Sequence, residues 1–457
     1  MAETLHGYVI DIPYLRDFKP MLAPAWLDHA VLVNGVSPPA RACGFAWCDL
    51  GCGQGVSAVI LATTHARGLF YGIDAMPAHI EHAQDLAAAA GVGNVRFEAA
   101  DFAEAADRDY PPFDYIVSHG VYSWVDASTQ AALRHFIDRH LKPGGLVYVS
   151  YDAMPGWARD LPFQYLLRTL AESFRGDSRA RVSAATEVIR SLAAAPPLAA
   201  SFVLGELAKQ PDDYPPAYLV HEFMHAAWRP LYVTEMRAAM RAIGLSPVGS
   251  ATFIENDDGL ALPPAARALL APIDDEDRRE LVRDYFLDQR LRCDVFTRGS
   301  RRLDPGERLA QFAGRSFALA RPAPTIGYAA DTPAGRLAYD TPAARAILTA
   351  LTAGPRRLGG IAHAHRHELL AAMLLLCAVG DVIPVEAAGG DVAALNRALW
   401  RRLDGPDPIL WLALPCGTAL PAAPGLLRRL RDGMRIDDPA FPGWRDFLTA
   451  HGLALGA

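Results

Sequence analysis

Between Phe45 and Tyr151, short apolar runs alternate with longer segments of helical periodicity. This alternation is typical of a parallel sheet whose strands are joined by helices that cover both faces. We therefore predict a doubly wound α/β fold. The predicted strands are 45–50, 69–74, 95–99, 115–118 and 145–151, and the predicted helices are 55–66, 77–90 and 127–140. Two later segments, 245–254 and 294–297, are expected to add strands to the same sheet.

The length of 457 residues allows two to four domains. With 51% hydrophobic and 21% charged residues, the chain can bury substantial cores and does not have the composition of a disordered protein. We predict four parts along the chain. These are a ligand-binding core at 1–155, a helical insertion with a segment that completes the sheet at 156–300, a linker at 301–334, and a smaller α+β domain at 335–457.

Composition also limits location and partners. No secretory signal is visible at the N-terminus, and the longest apolar run ends at Asp381, well short of a membrane span. We therefore expect a cytoplasmic protein without membrane insertion, and the six scattered cysteines suit a reducing compartment. Residues 301–457 carry 18 basic and 14 acidic residues, a weak excess for phosphate binding, so no nucleic-acid partner is expected.

A glycine-rich stretch, from Asp49 through Gly51, Gly53 and Gln54 to Gly55, follows the first predicted strand and opens a helix. Glycines allow the backbone to approach a ligand, and the helix N-terminus offers unpaired N–H groups. Alone, this pattern fits an ordinary tight turn or a dinucleotide site.

Acidic residues at the ends of the next strands narrow the choice. Asp74 ends the second strand, where a carboxylate can accept both hydroxyls of a ribose. Asp101 and Phe102 follow the third strand, where an adenine amino group and ring would lie. Asp49 argues against a pyrophosphate and for an ammonium group. Together these residues predict a pocket for S-adenosylmethionine. The candidate cofactor-binding residues are Tyr14, Asp49, Gly51, Gly53, Gln54, Asp74, Ala75, Asp101, Phe102, Ser118 and His119.

These residues, with the stretch from Leu141 to Gly145, resemble class I S-adenosylmethionine-dependent methyltransferases. The resemblance implies a seven-stranded sheet with S-adenosylmethionine across its carboxyl edge and S-adenosylhomocysteine as product. Several motifs resemble, more narrowly, the bacterial methyltransferases that carry a regulatory domain. They are Asp11 to Tyr14, His119 to Trp124, Tyr151 to Trp157, His221 to Phe223, Trp228 to Pro230, Val248 to Ala251, and Arg292 to Gly299.

Some of these relatives methylate lysines of bacterial outer-membrane proteins and end in a winged-helix domain. The resemblance therefore implies a lysine side chain of a protein as acceptor and a winged-helix-like C-terminal domain. Asp152 stands where relatives usually have Asn, and Asp49 where they usually have Glu. The first difference bears on the acceptor chemistry.

The candidate catalytic residues follow the fourth and fifth strands. His119, Tyr122 and Trp124 are expected to line the acceptor channel, and the Tyr122 hydroxyl or Asp152 could orient the amine or take its proton. Trp124 and Tyr14 could attract a methylated cation. The alternative is that Trp124 belongs to the core and His119 is a satisfied hydrogen-bonding residue, in which case the helical insertion supplies most of the acceptor site.

Weaker signals are left without a function. The stretch from His221 to His225 satisfies the H-E-x-x-H pattern of zinc peptidases, but Pro230 interrupts any long helix and no third ligand follows, so we predict no metal. Alternative functions are methylation of a small molecule or secondary metabolite, a nucleic-acid-directed methyltransferase or binder that uses the C-terminal domain, and a non-catalytic cofactor sensor. The oligomeric state is not predicted.

Overall fold

The computed structural model describes residues 4–5, 8–9, 15–41, 43–192, 216–386, 391–405, 407–436 and 440–453. Its centre is a seven-stranded sheet. The strands are β1 (Phe45–Leu50), β2 (Gly68–Asp74), β3 (Val95–Ala99), β4 (Phe113–Ser118), β5 (Leu141–Asp152), β6 (Ser246–Ser250) and β7 (Leu291–Thr297). A short antiparallel pair, Thr4–Leu5 with Tyr8–Val9, precedes the sheet.

The strand order is β3-β2-β1-β4-β5-β7-β6. Strands β1 to β5 are parallel, and β7 runs antiparallel to both β5 and β6. The order reverses between β1 and β4, and in such sheets ligands bind at the carboxyl ends of the strands beside this reversal. The seven strands and their order confirm the predicted fold class.

Some helices cover both faces of the sheet, and others belong to the segments that follow β5. They are α1 (Pro24–Val33), α2 (Val56–Thr64), α3 (Pro77–Ala90), α4 (Phe102–Asp107), α5 (Ala127–His140), α6 (Leu161–Ala171), α7 (Ser178–Leu192), α8 (Pro216–Phe223), α9 (Val233–Arg241), α10 (Asp258–Ala261), α11 (Pro264–Leu270) and α12 (Glu276–Leu287). Side chains of β1 alternate between two cores, because successive residues of a strand point to opposite faces. Trp47 packs in the core that contains residues of α1, α2 and α3, and Cys48 in the core that contains residues of α4, α5 and α9.

The C-terminal part contains smaller sheets. Its helices are α13 (Pro305–Gly314), α14 (Pro342–Leu351), α15 (Arg366–Ala378), α16 (Ala393–Trp400), α17 (Pro424–Arg431) and α18 (Trp444–Ala450). Its strands are β8 (Ser316–Leu319), β9 (Ala329–Thr332), β10 (Gly335–Ala338), β11 (Arg356–Arg357), β12 (Val382–Val385), β13 (Trp411–Leu414) and β14 (Thr418–Pro421). Strand β8 lies between β11 and β12, and β9/β10 and β13/β14 form two hairpins. The winged-helix assignment stays a prediction.

Residues 301–334 are not the linker that the sequence predicts. They contain α13 and β8, and β8 pairs with strands of the C-terminal part. The prolines and glycines of this stretch suggest a linker. Pro305 instead occupies the first turn of α13, where a backbone N–H would have no partner within the helix, so proline is tolerated. Asp304 caps the helix by accepting a hydrogen bond from the N–H of Glu307 at 2.8 Å.

The strand predicted at 245–254 is shorter in the structure. Pairing stops at Ser250, where the side-chain amide of Asn256 accepts from the Ser250 N–H at 2.9 Å and donates to its carbonyl oxygen at 2.8 Å. The side chain replaces the next strand partner, so the chain turns away from the sheet. Among the helices of the described residues, none has both the length and the apolar character needed to cross a membrane.

Candidate active site

The loop between β1 and α2 forms an open cradle. Gly51, Gly53 and Gly55 have φ values of 82°, 52° and 73°, a region that side chains rarely adopt. A Cβ on Gly51 would collide with Val121, whereas nothing lies within 4 Å of a Cβ placed on Gly53. The loop thus leaves room for a ligand beside Gly53, close to the N-terminal end of α2.

Asp74 is held in one orientation at the end of β2. Its Oδ2 accepts from the N–H of Gly53 and its Oδ1 from the N–H of Met76, both at 2.9 Å. His79 Nδ1 lies 3.1 Å from Oδ1. Ala75 follows directly and is partly exposed. These contacts join the glycine loop to β2 and fix the carboxylate that the sequence assigns to a ribose.

Asp49, the second-to-last residue of β1, is buried without the hydrogen bonds that hold Asp74. Its side chain is 4% exposed, and within the described ranges no hydrogen bond reaches its carboxyl group. Burial, together with repulsion from Asp74, raises the pKa of Asp49 to about 8. A buried carboxyl without a partner is costly. The ammonium group of S-adenosylmethionine would supply the missing partner, so these residues fit the predicted cofactor.

The predicted adenine contacts lie at the start of α4. Asp101 caps this helix by accepting from the N–H of Glu104 at 2.7 Å, and Phe102 is 8% exposed. The cap uses one carboxylate oxygen, so a contact of the other with adenine stays a prediction. Gln54 is buried in the glycine loop. Tyr14 lies outside the described residues.

Ser118 and His119 follow each other at the end of β4. Ser118 Oγ donates to the carbonyl oxygen of Leu50 at 2.9 Å, which holds the ends of β4 and β1 together. His119 Nδ1 lies 2.8 Å from the Tyr148 hydroxyl. Burial, together with the positive charge of Lys19, lowers the pKa of His119 to about 3. The imidazole is therefore neutral at pH 7 and is a poor proton acceptor.

Tyr122 has contacts other than those expected of an acceptor-site residue. It is 1% exposed and packs in the core cluster that contains Leu133 and Phe136 of α5. Its hydroxyl accepts from Arg134 Nη1 at 2.6 Å. This placement does not support the predicted role of the hydroxyl at the amine. The sequence puts Tyr122 just after a strand but does not tell which way its side chain points.

Trp124 belongs to an aromatic cluster beneath the helical insertion. It is 5% exposed, and its Nε1 has no hydrogen-bond partner in the part of the chain that the structure describes. Trp157 and Trp228 belong to the same cluster, with their ring centroids 5.2 Å apart. The sequence motifs include both tryptophans, but the motifs alone assign neither of them to the site.

Asp152 contacts this aromatic cluster through Trp228. It is 3% exposed at the last position of β5, and its Oδ2 accepts from Trp228 Nε1 at 2.6 Å. Its N–H donates to Ser123 Oγ at 2.9 Å. Burial raises the pKa of Asp152 to about 7, although the hydrogen bond from Trp228 acts in the opposite direction. Asp152 is therefore an acid–base group poised near neutral pH.

Glu222 is the titratable residue that sequence reasoning missed, because it was considered only as part of a zinc pattern. Burial, with repulsion from Asp152, raises its pKa to about 8. The flanking His221 and His225 are buried, with ring centroids 6.1 Å apart. Among the described residues, no group of His, Cys, Asp and Glu side chains is placed to hold a metal ion.

Comparisons with known proteins agree with this geometry. A methyltransferase domain matches residues 44–188, and a predicted methyltransferase regulatory domain matches residues 215–298. An uncharacterized protein of Synechocystis sp., sll1526, is 31% identical over 386 residues, which cover 83% of this chain and 76% of the relative. An uncharacterized protein of Rickettsia prowazekii, RP028, is 31% identical over 218 residues, which cover 47% of this chain and 86% of the relative.

A solved structure resembles nearly the whole molecule. PKMT2 from Rickettsia typhi in complex with AdoHcy has a TM-score of 0.69 and 20% identity, covering 92% of this chain and 88% of that chain. The fold and the site thus define a class I S-adenosylmethionine-dependent methyltransferase. Within that class, the chain belongs to the family in which the methyltransferase domain is joined to a methyltransferase regulatory domain.

Proposed function

We propose that the protein methylates the side-chain amine of lysine residues in a protein substrate. The observation that carries this proposal is the buried Asp152 carboxyl beside Trp157 and Trp228. A carboxylate pairs with a cation, and indole faces attract ammonium groups. This arrangement favours a cationic amine over an anionic acceptor, because a buried carboxylate repels a second negative charge.

Asp152 is suited to bind the ammonium from which an amine acceptor must lose a proton. A lysine ammonium, with an ordinary pKa of about 10.4, must lose a proton before its nitrogen can attack. Burial among aromatic rings favours the neutral amine. Because the pKa of Asp152 is near 7, its carboxylate is available at neutral pH to attract the ammonium and to orient it for proton removal.

When bound, S-adenosylmethionine supplies an electrophilic methyl group, which passes from sulfur to the amine nitrogen and leaves S-adenosylhomocysteine. We assign Asp74 to the ribose and Asp49 to the ammonium of the cofactor, with the backbone beside Gly53 as its cradle. The catalytic task of the chain is to orient the acceptor nitrogen in line with the methyl group at about 3–3.5 Å.

Two features favour a protein as the acceptor. The motifs resemble those of regulatory-domain methyltransferases, some of which methylate lysines. In addition, residues 1–300 carry 26 basic and 37 acidic residues, and this negative excess would attract a lysine-bearing partner.

The proposal is tested by incubating the enzyme with methyl-labelled cofactor and a lysate of its own organism. We expect label in methyl-lysine after complete hydrolysis of the protein fraction. Label in nucleic acid or in small metabolites would contradict the proposal. Asp74→Ala should abolish labelling, whereas Asp138→Ala, at a side chain that is 54% exposed on α5, should label as the wild type does.

A further inference from the structure

The regulatory domain is attached directly to the end of β5. The N–H of Leu231 donates to the carbonyl oxygen of Asp152 at 2.9 Å. The N–H of Met154 donates to the carbonyl oxygen of Leu231 at 3.0 Å. The N–H of Arg229 donates to the carbonyl oxygen of Ser123 at 2.8 Å. Residues 229–231 therefore run along the carboxyl edge of the sheet, beside the predicted acceptor site.

The C-terminal end of α8 contacts the tryptophans beside Asp152. Phe223, the last residue of this helix, contacts Trp157 with ring centroids 5.8 Å apart. Trp157 also contacts Trp228, which donates to Asp152. Glu222 directly precedes Phe223 in this helix, and repulsion from the Asp152 carboxylate contributes to the raised pKa of Glu222.

The charged neighbours do not neutralise this carboxyl pair. Lys19 acts on Glu222, but its Nζ is already 2.6 Å from Asp17. Arg290 acts on Asp152, but its Nη1 is already 2.6 Å from the buried Asp160, and its guanidinium lies over the Trp157 ring. The buried imidazoles of His221 and His225 flank the pair on the chain. Asp152 is buried and Glu222 is partly buried, and two such carboxyl groups without a dedicated cation among the described residues are costly unless a ligand brings one.

We propose that Glu222, a residue of the regulatory domain, is a catalytic residue that forms one acid–base pair with Asp152 and binds the ammonium of the acceptor. This inference rests on the proposed function. An N–H bond of the ammonium breaks and its proton passes to the Glu222 carboxylate, while Asp152 holds the remaining N–H groups. The freed lone pair forms the N–C bond as the S–C bond of the methyl donor breaks. Glu222 then releases its proton to water.

The pair gives the regulatory domain a chemical role. Because Asp152 belongs to the methyltransferase sheet and Glu222 to α8, the acid–base pair is complete only when the two domains are in contact. Movement of α8 away from β5 would remove the proton acceptor without disturbing the cofactor cradle. Selectivity for an amine over a hydroxyl acceptor follows, because the pair needs a cation.

The first experiment measures kcat as a function of pH with a lysine acceptor. Because a proton acceptor must be ionised, the wild-type rate should rise with pH between about 7 and 8. Glu222→Gln should lower kcat at pH 7 by about 10- to 100-fold and remove the upper part of the rise, with cofactor affinity within about twofold of the wild type. Glu187→Gln, at a side chain 70% exposed on α7, should behave as the wild type. A wild-type profile in Glu222→Gln would overturn the inference.

The second experiment does not depend on the identity of the protein substrate. Calorimetry compares n-butylamine with 1-butanol, its neutral counterpart, on enzyme saturated with S-adenosylhomocysteine. The wild type should prefer the amine by at least about tenfold, and Glu222→Gln should lose most of this preference while still binding S-adenosylhomocysteine, which shows that the variant is folded. Equal binding of both probes to the wild type would overturn the inference.

The two proposals fail in different ways. If lysates show methyl-lysine but Glu222→Gln keeps the wild-type pH profile, the proposed function stands and the role of Glu222 is wrong. If label enters only small amines while the amine preference depends on Glu222, the role of Glu222 stands and the protein acceptor is wrong.

Discussion

Two carboxyl groups at the ends of neighbouring strands differ in their hydrogen bonds. Asp74 receives donors on both of its oxygens, whereas the buried Asp49 receives none among the described residues. An ionised carboxyl with several donors is stable, and one without donors resists ionisation. Asp74 is therefore suited to bind the neutral hydroxyl groups of a ligand, and Asp49 is suited to bind a cation.

Substitution of Asp49 tests its ionisation. Because its pKa is raised from the ordinary value near 4 to about 8, the stability of the wild type is full below pH 4 and falls as pH rises to about 8. Asp49→Asn removes this loss. At pH 8.5 we expect the free energy of unfolding of the variant to exceed that of the wild type by at least about 1 kcal/mol, with a higher Tm. Near pH 4 we expect little difference between the two. An equal difference at both pH values would contradict the assignment.

Substitution of Asp74 tests the cofactor pocket. Asp74→Ala removes the acceptor that we assign to the ribose and also releases the N–H of Gly53. We expect cofactor binding to weaken by about 2–4 kcal/mol, measured by calorimetry with S-adenosylhomocysteine. Asp138→Ala serves as the exposed control. Unchanged affinity in Asp74→Ala would place the ribose elsewhere.

Substitution of Tyr122 separates packing from catalysis. Its hydroxyl accepts a hydrogen bond from Arg134. Tyr122→Phe should therefore cost about 0.5–1.5 kcal/mol of stability and leave kcat near the wild-type value. Urea unfolding and steady-state rates measure the two effects. A large loss of kcat with unchanged stability would restore Tyr122 to the acceptor site.

At the scale of elements, a buried ion-pair network fastens β7 to α12. Arg292 is 4% exposed and donates to Asp294 at 3.0 Å, to Glu280 at 2.8 Å and to Asp284. Asp294 also accepts from the Tyr151 hydroxyl at 2.7 Å. The network thus reaches β5 one residue before the catalytic carboxyl that we propose.

Breaking this network should be costly. Arg292→Met leaves the buried carboxyl groups of Asp284 and Asp294 without their cation, so we expect a loss of about 3–5 kcal/mol in the free energy of unfolding. Arg279→Met, whose side chain is 40% exposed and pairs with Asp258, should lose about 1 kcal/mol or less. Denaturant unfolding of both variants makes the comparison. Similar losses in the two variants would contradict a special role for the Arg292 network.

The central sheet could be predicted from the sequence because each parallel strand is a short apolar run, buried on both faces. Helices α1 and α4, which pack against this sheet, could not be predicted. All but two residues of α1 are buried, so it lacks the apolar and polar faces that identify a surface helix, and α4 has only six residues. The glycine loop and Asp74 were found from local pattern. Glu222 was not, because its meaning depends on Asp152, 70 residues earlier in the chain.

At the scale of the molecule, α1 connects the methyltransferase domain to the C-terminal part. The fully buried Asp28 accepts hydrogen bonds from Arg41 at 2.7 Å, Arg315 at 2.8 Å and the Tyr115 hydroxyl at 2.7 Å. Arg41 also donates to Glu386 at 2.5 Å. One carboxylate therefore joins β4, α1 and the start of β8, far along the chain from each other.

The antiparallel placement of β7 between β5 and β6 constrains how the chain can be shortened. Strand β5 acquires its outer neighbour only from residues 291–297, so a polypeptide that stops before Leu291 leaves one side of β5 bare. Bare strand edges recruit other chains. Early termination should therefore produce insoluble aggregates rather than a minimal enzyme, and natural fusion or fission points belong beyond Thr297.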